Sequence, residues 1–226
     1  MEPMTSHWLD ETLLAPFPQR VHPMWVAEER RAFDRGGWVF EVKYDGYRAV
    51  AELGESGVKL YSRNLKDLGR RFPAIVTALR HMGSQAVMDG ELVIIGDDGK
   101  PDFQALRGYF PDSGADLRYF VFDLLWLDAY DLTSLPLLRR MSILENLVTK
   151  DRTAVIQYVD HVETEGVAFF EAIIAQGLEG MVAKKADSSY RIDEGTPRTR
   201  RGEWVKVKHY IRHGWEEKVV RGAFKP

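Results

Sequence analysis

The stretch that decides the fold class is Trp38-Val39-Phe40-Glu41-Val42-Lys43-Tyr44-Asp45-Gly46-Tyr47-Arg48-Ala49-Val50-Ala51-Glu52-Leu53-Gly54-Glu55-Ser56-Gly57-Val58-Lys59-Leu60-Tyr61-Ser62. Three apolar runs, 38–43, 47–53 and 58–62, are rich in β-branched and aromatic residues. An Asp-Gly pair and Gly54-Glu55-Ser56-Gly57 cut them apart, which is the punctuation of strands joined by tight turns. Working outward, further strands are predicted at 86–95 (AVMDGELVII), 118–127 (RYFVFDLLWL), 154–159, 180–185, 203–208 (EWVKVK) and 216–223. Helices are predicted at 25–35 (WVAEERRAFDR), 72–82, 137–149 and 163–176, where apolar residues recur at three- and four-residue spacing. Strands outnumber helices, and short turns such as Asp97-Asp98-Gly99 join them. The expectation is therefore an α+β fold with largely antiparallel sheets, not a chain of βαβ units. The polar, basic stretch 187–202 reads as a surface loop.

With 226 residues, 45% of them hydrophobic, the chain can bury a full core in one large domain or two small ones. It contains no cysteine, so disulfides, thiolate zinc sites and cysteine nucleophiles are excluded, and a reducing cytoplasm fits. Acids at Glu2, Asp10 and Glu11 and the lack of a long apolar stretch predict neither a signal peptide nor a membrane anchor. The formal net charge is only −3, yet residues 184–226 carry 12 Lys/Arg against 6 Asp/Glu. Such an asymmetry permits a polyanion on one face, or a solvated basic edge.

Phosphate-binding loops of the GxxxxGK[ST] and GxGxxG types are absent, so a nucleotide would have to be held in another way. Lys43, Asp45, Gly46 and Arg48 place a lysine at the end of an apolar strand, followed by an acid, a glycine and an arginine. A lysine amine attacks phosphorus only when unprotonated, while its ordinary pKa is about 10.4, so neighbouring cations or desolvation must depress it. In an extended Trp204-Val205-Lys206-Val207-Lys208 strand, Lys206 and Lys208 share one face and the two valines the other, so two cations converge. The same cations would neutralise charge growing on a phosphate. In 181–184, Val182 and Lys184 likewise share a face, setting an aliphatic floor beside a cation. Glu179, just before an apolar strand, is placed to hold a divalent cation together with phosphate oxygens. His209 and His213 have helical spacing but no carboxylate partner, and stay unassigned.

The KxDGxR pattern of Lys43, Asp45, Gly46 and Arg48 resembles the signature of the covalent nucleotidyltransferases: ATP-dependent DNA ligases, RNA ligases and mRNA capping enzymes. Ser62-Arg63-Asn64, Asp89-Gly90-Glu91, Phe120-Val121-Phe122-Asp123-Leu124-Leu125, Glu179-Gly180-Met181-Val182-Ala183-Lys184 and Trp204-Val205-Lys206-Val207-Lys208 resemble the later motifs of that family, in its order. Together they span 41–208, and the wording is most similar to bacterial DNA ligases of the end-joining type. The resemblance implies two largely antiparallel sheets flanked by helices with a nucleotide cleft between them. It implies ATP as cofactor, Lys43 as the nucleophile that carries AMP, Lys206 and Lys208 in support, and Mg²⁺ or Mn²⁺ on Glu179. It further implies that Phe122 and Val182 sandwich adenine, that Arg48 and Glu91 contact the ribose, and that Val42, Tyr44 and Lys184 complete the nucleotide site. Arg63 would reach a phosphate of nicked double-stranded DNA. Asp45 would either orient Lys43 or assist attack by the 3′-hydroxyl.

Departures are Leu65 after SRN, Ala129 where the family often has glycine, a long loop between the last two motifs, and only 18 residues after Lys208. The family continues there into an OB-fold domain that closes over the nucleotide. Residues 209–226 resemble the start of its first strand, so the expectation is one nucleotidyltransferase domain over 1–226, with a protein partner as one source of the lid function. Acting alone as a monomer in the bacterial cytoplasm, it would be a ligase core; the alternatives are a DNA nick- or end-binding module that needs a partner for chemistry, and an RNA ligase.

Overall fold

In a computed structural model, residues 13–151, 154–192 and 202–209 are described. In chain order the elements are β1 (Leu13–Leu14), β2 (Ala27–Glu29), β3 (Trp38–Val42), β4 (Tyr47–Gly54), β5 (Gly57–Ser62), α1 (Pro73–Arg80), β6 (Ala86–Ile95) and α2 (Phe103–Gly108). There follow β7 (Asp116–Leu127), β8 (Tyr130–Asp131), α3 (Leu137–Asp151), β9 (Ile156–Tyr158), β10 (His161–Val162), α4 (Gly166–Ala175), β11 (Gly180–Lys185) and β12 (Trp204–Lys208).

The strands form two sheets. The larger runs β1-β8-β7-β6-β4-β5, with β9 alongside β7, and the smaller runs β10-β3-β11-β12-β2. Pairing is antiparallel except for β7 with β9 and β12 with β2. This is the expected α+β class, and its cause is visible in the turns: Gly54 and Gly57 close the β4–β5 hairpin with φ +110 at Gly57, a conformation glycine adopts without steric cost.

Alternation along the strands sorts the side chains into layers. Ala49, Ala51, Leu53, Met88 and Leu92 of the larger sheet pack outward against Ile75 and Leu79 of α1, Leu106 of α2 and Leu144 of α3. Phe40, Met181, Ala183, Val205 and Val207 of the smaller sheet pack against Ile173 of α4. Between the sheets, Val50, Val87, Leu125 and Trp126 from one meet Val39 and Trp204 from the other. The arrangement is helix, sheet, sheet, helix.

Two expectations are corrected, and one element went unpredicted. Residues 25–35 do not form a helix: Ala27–Glu29 is a strand paired in parallel with β12. The apolar spacing there satisfies a helical template, but an open sheet edge competes for the same backbone hydrogen bonds and wins. The stretch 187–202 is not wholly surface, because Ser188 and Tyr190 are buried. And α2, six residues long, escaped the periodicity argument, since its stability comes from Asp102, whose carboxylate accepts a hydrogen bond from Ala105 N at 2.8 Å. The strand expected at 216–223 and the region 210–226 lie outside the described residues.

Candidate active site

Register builds the site. β11 lies between β3 and β12, with Met181 opposite both Val42 and Val207. Residues directly opposite one another in an antiparallel ladder project from the same face. The inner face therefore carries three rungs. Val39, Lys184 and Trp204 form the first, and Glu41, Val182 and Lys206 the second, with His161 of β10 beside Glu41. The third holds Gly180 and Lys208, and Lys43 joins it because its N–H donates to Gly180 O at 2.9 Å.

The third rung places Glu179 between two lysines. Its Oε2 lies 2.5 Å from Lys43 Nζ and its Oε1 2.8 Å from Lys208 Nζ. Burial pushes the Glu179 carboxyl upward, but hydrogen bonds from Lys208 and Lys43 outweigh that and hold it below the ordinary carboxylate range. Gly180 is what lets the chain turn there: φ is +150, and a Cβ would stand 2.1 Å from Val207 O. Gly46 serves similarly beside Lys43, where a Cβ would meet Leu92 O at 2.2 Å.

On the first and second rungs, buried Lys184 lies 2.7 Å from the Glu41 carboxylate and donates to Phe122 O at 3.2 Å. Its ammonium sits 4.4 Å from the Phe122 ring centre and 4.3 Å from that of Trp204. Burial pushes Glu41 up to about 7, against the pull of Lys184 and with the help of Asp123 and Asp89.

The larger sheet supplies the opposite wall. Arg48 faces Glu91 across the β4–β6 ladder and grips Asp89 side-on, Nε to Oδ1 at 3.1 Å and Nη2 to Oδ2 at 2.6 Å. Its guanidinium lies 5.5 Å from the Phe122 ring and 5.9 Å from that of Trp204. Burial raises the Glu91 carboxyl to about 8, although Lys43 and Arg48 pull it down.

Other residues singled out from the sequence are more dispersed. Lys206 projects from the inner face, but its Nζ lies 3.7 Å from Glu28 of β2, one rung away from the Lys43–Glu179–Lys208 group. The Val42 side chain packs on the outer, α4 side, so its backbone is what borders the inner face. Tyr44 stacks on Phe120 at 4.0 Å. Arg63 lies 4.1 Å over the half-exposed Trp25 ring. Asp45 is exposed and lines a cavity of about 590 Å³ with Asp97, Asp98, Asp102 and Phe103. Desolvation first, then the charge of Glu179, raises its carboxyl, against Lys43 and Lys208.

Sequence reasoning left Glu41, Asp89, Asp123, Arg140 and Tyr190 without roles. Fully buried Asp123 and Arg140 pair at 2.7 and 2.8 Å, and Arg140 also donates to Ser188 O at 2.9 Å. The signal was present for the acids: a lone carboxylate in an otherwise apolar strand, as in WVFEV or FVFDLL, has to be paired when buried. Arg140 and Tyr190 carried no local signal.

The two facing sheets are those of ATP-dependent ligase nucleotidyltransferase domains. A mycobacterial DNA ligase D complexed with ATP aligns with a TM-score of 0.71 and 28% identity, covering 86% of this chain and 62% of that one. The ligase domain of LigD from M. tuberculosis aligns with a TM-score of 0.72 and 28% identity over 84% of this chain and 60% of that one. The sequence family described as ATP dependent DNA ligase domain matches residues 21–208, and the chain belongs to that family. The multifunctional non-homologous end joining protein LigD of Pseudomonas aeruginosa is 31% identical over 90% of this chain, which spans 24% of that protein. The SPbeta prophage-derived DNA ligase-like protein LigB of Bacillus subtilis is 28% identical over 91% of this chain and 72% of that protein. Among the described residues, no helix is long and apolar enough to cross a membrane.

Proposed function

We propose that this chain is the adenylating core of an ATP-dependent DNA ligase that acts on nicked double-stranded DNA. The observation that carries this reading is the convergence of Lys43 and Lys208 on Glu179 at one end of the seam, with the Lys184 ammonium set against the Phe122 and Trp204 rings farther along it. A phosphate chain suits the lysine-rich end and an aromatic base the aromatic end. Phe122, Val182 and Lys184 border the base, while Arg48 and Glu91 lie between base and phosphates and meet the ribose.

In the reaction, the uncharged Lys43 amine attacks the α-phosphorus of ATP. A P–N bond forms, the bond to the β-phosphate oxygen breaks, and pyrophosphate leaves. Lys208, with Lys206 from the neighbouring rung, stabilises the charge that develops on the phosphates. AMP then passes to the 5′-phosphate at the nick, and the 3′-hydroxyl displaces it, with Asp45, whose carboxyl feels the charge of Lys43, assisting proton transfer. Arg63 contacts the nicked strand. Glu179 presents two carboxylate oxygens beside the phosphate end, and oxygen donors suit Mg²⁺ or Mn²⁺. A divalent cation bound there would supply charge neutralisation to the phosphates.

The test is the intact mass of the purified chain before and after incubation with ATP, Mg²⁺ or Mn²⁺, and then with pyrophosphate. The expected result is the gain of one adenylate, reversed by pyrophosphate and absent in Lys43→Ala. No gain with either metal across the pH range would overturn the assignment. GTP labelling in place of ATP would move the chain toward the capping enzymes.

A further inference from the structure

Tyr190 lies in the connection between β11 and β12, outside every motif discussed above, yet its side chain is 4% exposed. Its hydroxyl donates to Asp89 Oδ2 at 2.7 Å and accepts from Met24 N at 2.8 Å. Asp89 is the residue that grips Arg48 side-on. That fork uses Nε and Nη2, which leaves the Nη1 edge of the guanidinium outside the pair. The Tyr190 ring sits edge-on to Trp204 at 5.7 Å, and Trp204 in turn flanks both Arg48 and Lys184. The backbone around Tyr190 is itself fastened: Tyr190 N donates to Thr133 O at 2.8 Å, Arg191 N reaches Met24 Sδ at 3.4 Å, and Ser188 O accepts from buried Arg140.

A phenyl ring alone would satisfy the packing against Trp204 and the inner cluster. What the hydroxyl adds is directional. Asp89 has two oxygens, and Arg48 takes both; the Tyr190 O–H takes a further lone pair on Oδ2 and restrains the carboxylate plane. The plane of the carboxylate sets the plane of the guanidinium, because a two-point fork transmits orientation where a single contact would not.

We propose that Tyr190 is a positioning residue for nucleotide binding: through Asp89 it fixes the plane of Arg48 so that the unpaired guanidinium edge meets the nucleotide without reorganisation. The proposal rests on the nucleotide-binding reading given above. It assigns the β11–β12 connection a part in substrate binding that the motif residues alone do not reveal. The strap of residues before β2 shares in it through Met24.

The test is a double-mutant cycle read by calorimetric binding of α,β-methylene-ATP, which cannot be cleaved at the α-phosphate, with melting temperature measured alongside. Tyr190→Phe should weaken binding about tenfold, the loss expected for one buried hydrogen bond to a charged group. In an Arg48→Lys background, where no fork exists, Tyr190→Phe should weaken binding less than twofold. Should Tyr190→Phe fail to fold, Asp89→Asn keeps the ring packing and should reproduce the tenfold loss. Unchanged affinity in Tyr190→Phe overturns the proposal, as does a tenfold loss that persists in the Arg48→Lys background, which would mark Tyr190 as a structural residue independent of Arg48. A wild type that neither binds the analogue nor gains adenylate defeats the ligase reading itself and the proposal with it, whereas a wild type that does both while the cycle is additive defeats the proposal alone.

Discussion

Lys43 Nζ lies 2.5 Å from Glu179 Oε2 although 136 residues separate the two in sequence. In the proposed reaction the Lys43 nitrogen has to leave this contact before it can attack. The same carboxylate accepts Lys208 on its other oxygen. Glu179→Gln should therefore slow the mass gain from ATP by about 100-fold, on the scale of removing one electrostatic group from a catalytic site. The divalent-metal concentration needed for half the maximal rate should rise as well. Initial rates of adenylate uptake across a Mn²⁺ series measure both, and an unaltered rate with an unaltered metal dependence would remove Glu179 from the reaction.

Glu91 makes stability depend on pH. Burial raises its carboxyl from 4.5 to about 8 in the folded chain, so the folded state holds that proton to higher pH than the unfolded state does. Ionising it then costs folding free energy progressively between about pH 4.5 and 8, and none below that window. Glu91→Gln should match the wild type at pH 4 and exceed it at pH 8.5, by on the order of 2 kcal/mol. Denaturant unfolding at the two pH values decides the matter; a gap independent of pH would show that Glu91 is not the group titrating.

Ala129 has φ +81, in the left-handed region that disfavours a β-carbon, next to Asp128 at φ +42. The turn is pinned by Asp128 Oδ1, which accepts from Gln85 N at 2.9 Å, and by Ala129 O, which accepts from Ala15 N at 2.9 Å. The alanine thus sits where glycine would be unstrained. Ala129→Gly is expected to stabilise the fold by about 0.5–1 kcal/mol and to raise the melting temperature by about 2–3 °C. A lower melting temperature would mean that the strain is already relieved by the surrounding bonds.

Asp123 and Arg140 have fully buried side chains and hold α3 to β7. Removing one partner strands the other charge in a low-dielectric interior. Asp123→Ala should cost about 3–5 kcal/mol in thermal or denaturant unfolding, whereas replacing both with apolar residues of similar volume should recover most of that loss. Losses that simply add in the double variant would mean that the pair is not the source of the cost.

The class of fold and the ordering of motifs were legible in the chain because they rest on local properties. Alternating apolar residues and Gly- or Asp-containing turns specify strands and hairpins by sterics alone, and a lysine at the end of Trp38–Val42 followed by Asp45-Gly46 is a short-range pattern. What the sequence could not state is which residues share a rung. Gly180 placed between Lys43 and Lys208, Lys206 left beside Glu28, residues 27–29 drawn into a strand, and Tyr190 buried against Asp89 all depend on the register of strands distant in sequence. A one-residue slip in β11 would turn Val182 and Lys184 to the α4 side and bring Met181 and Ala183 inward, because side chains alternate with a period of two. Local chemistry thus determined what the groups are, and only tertiary pairing decided which of them meet.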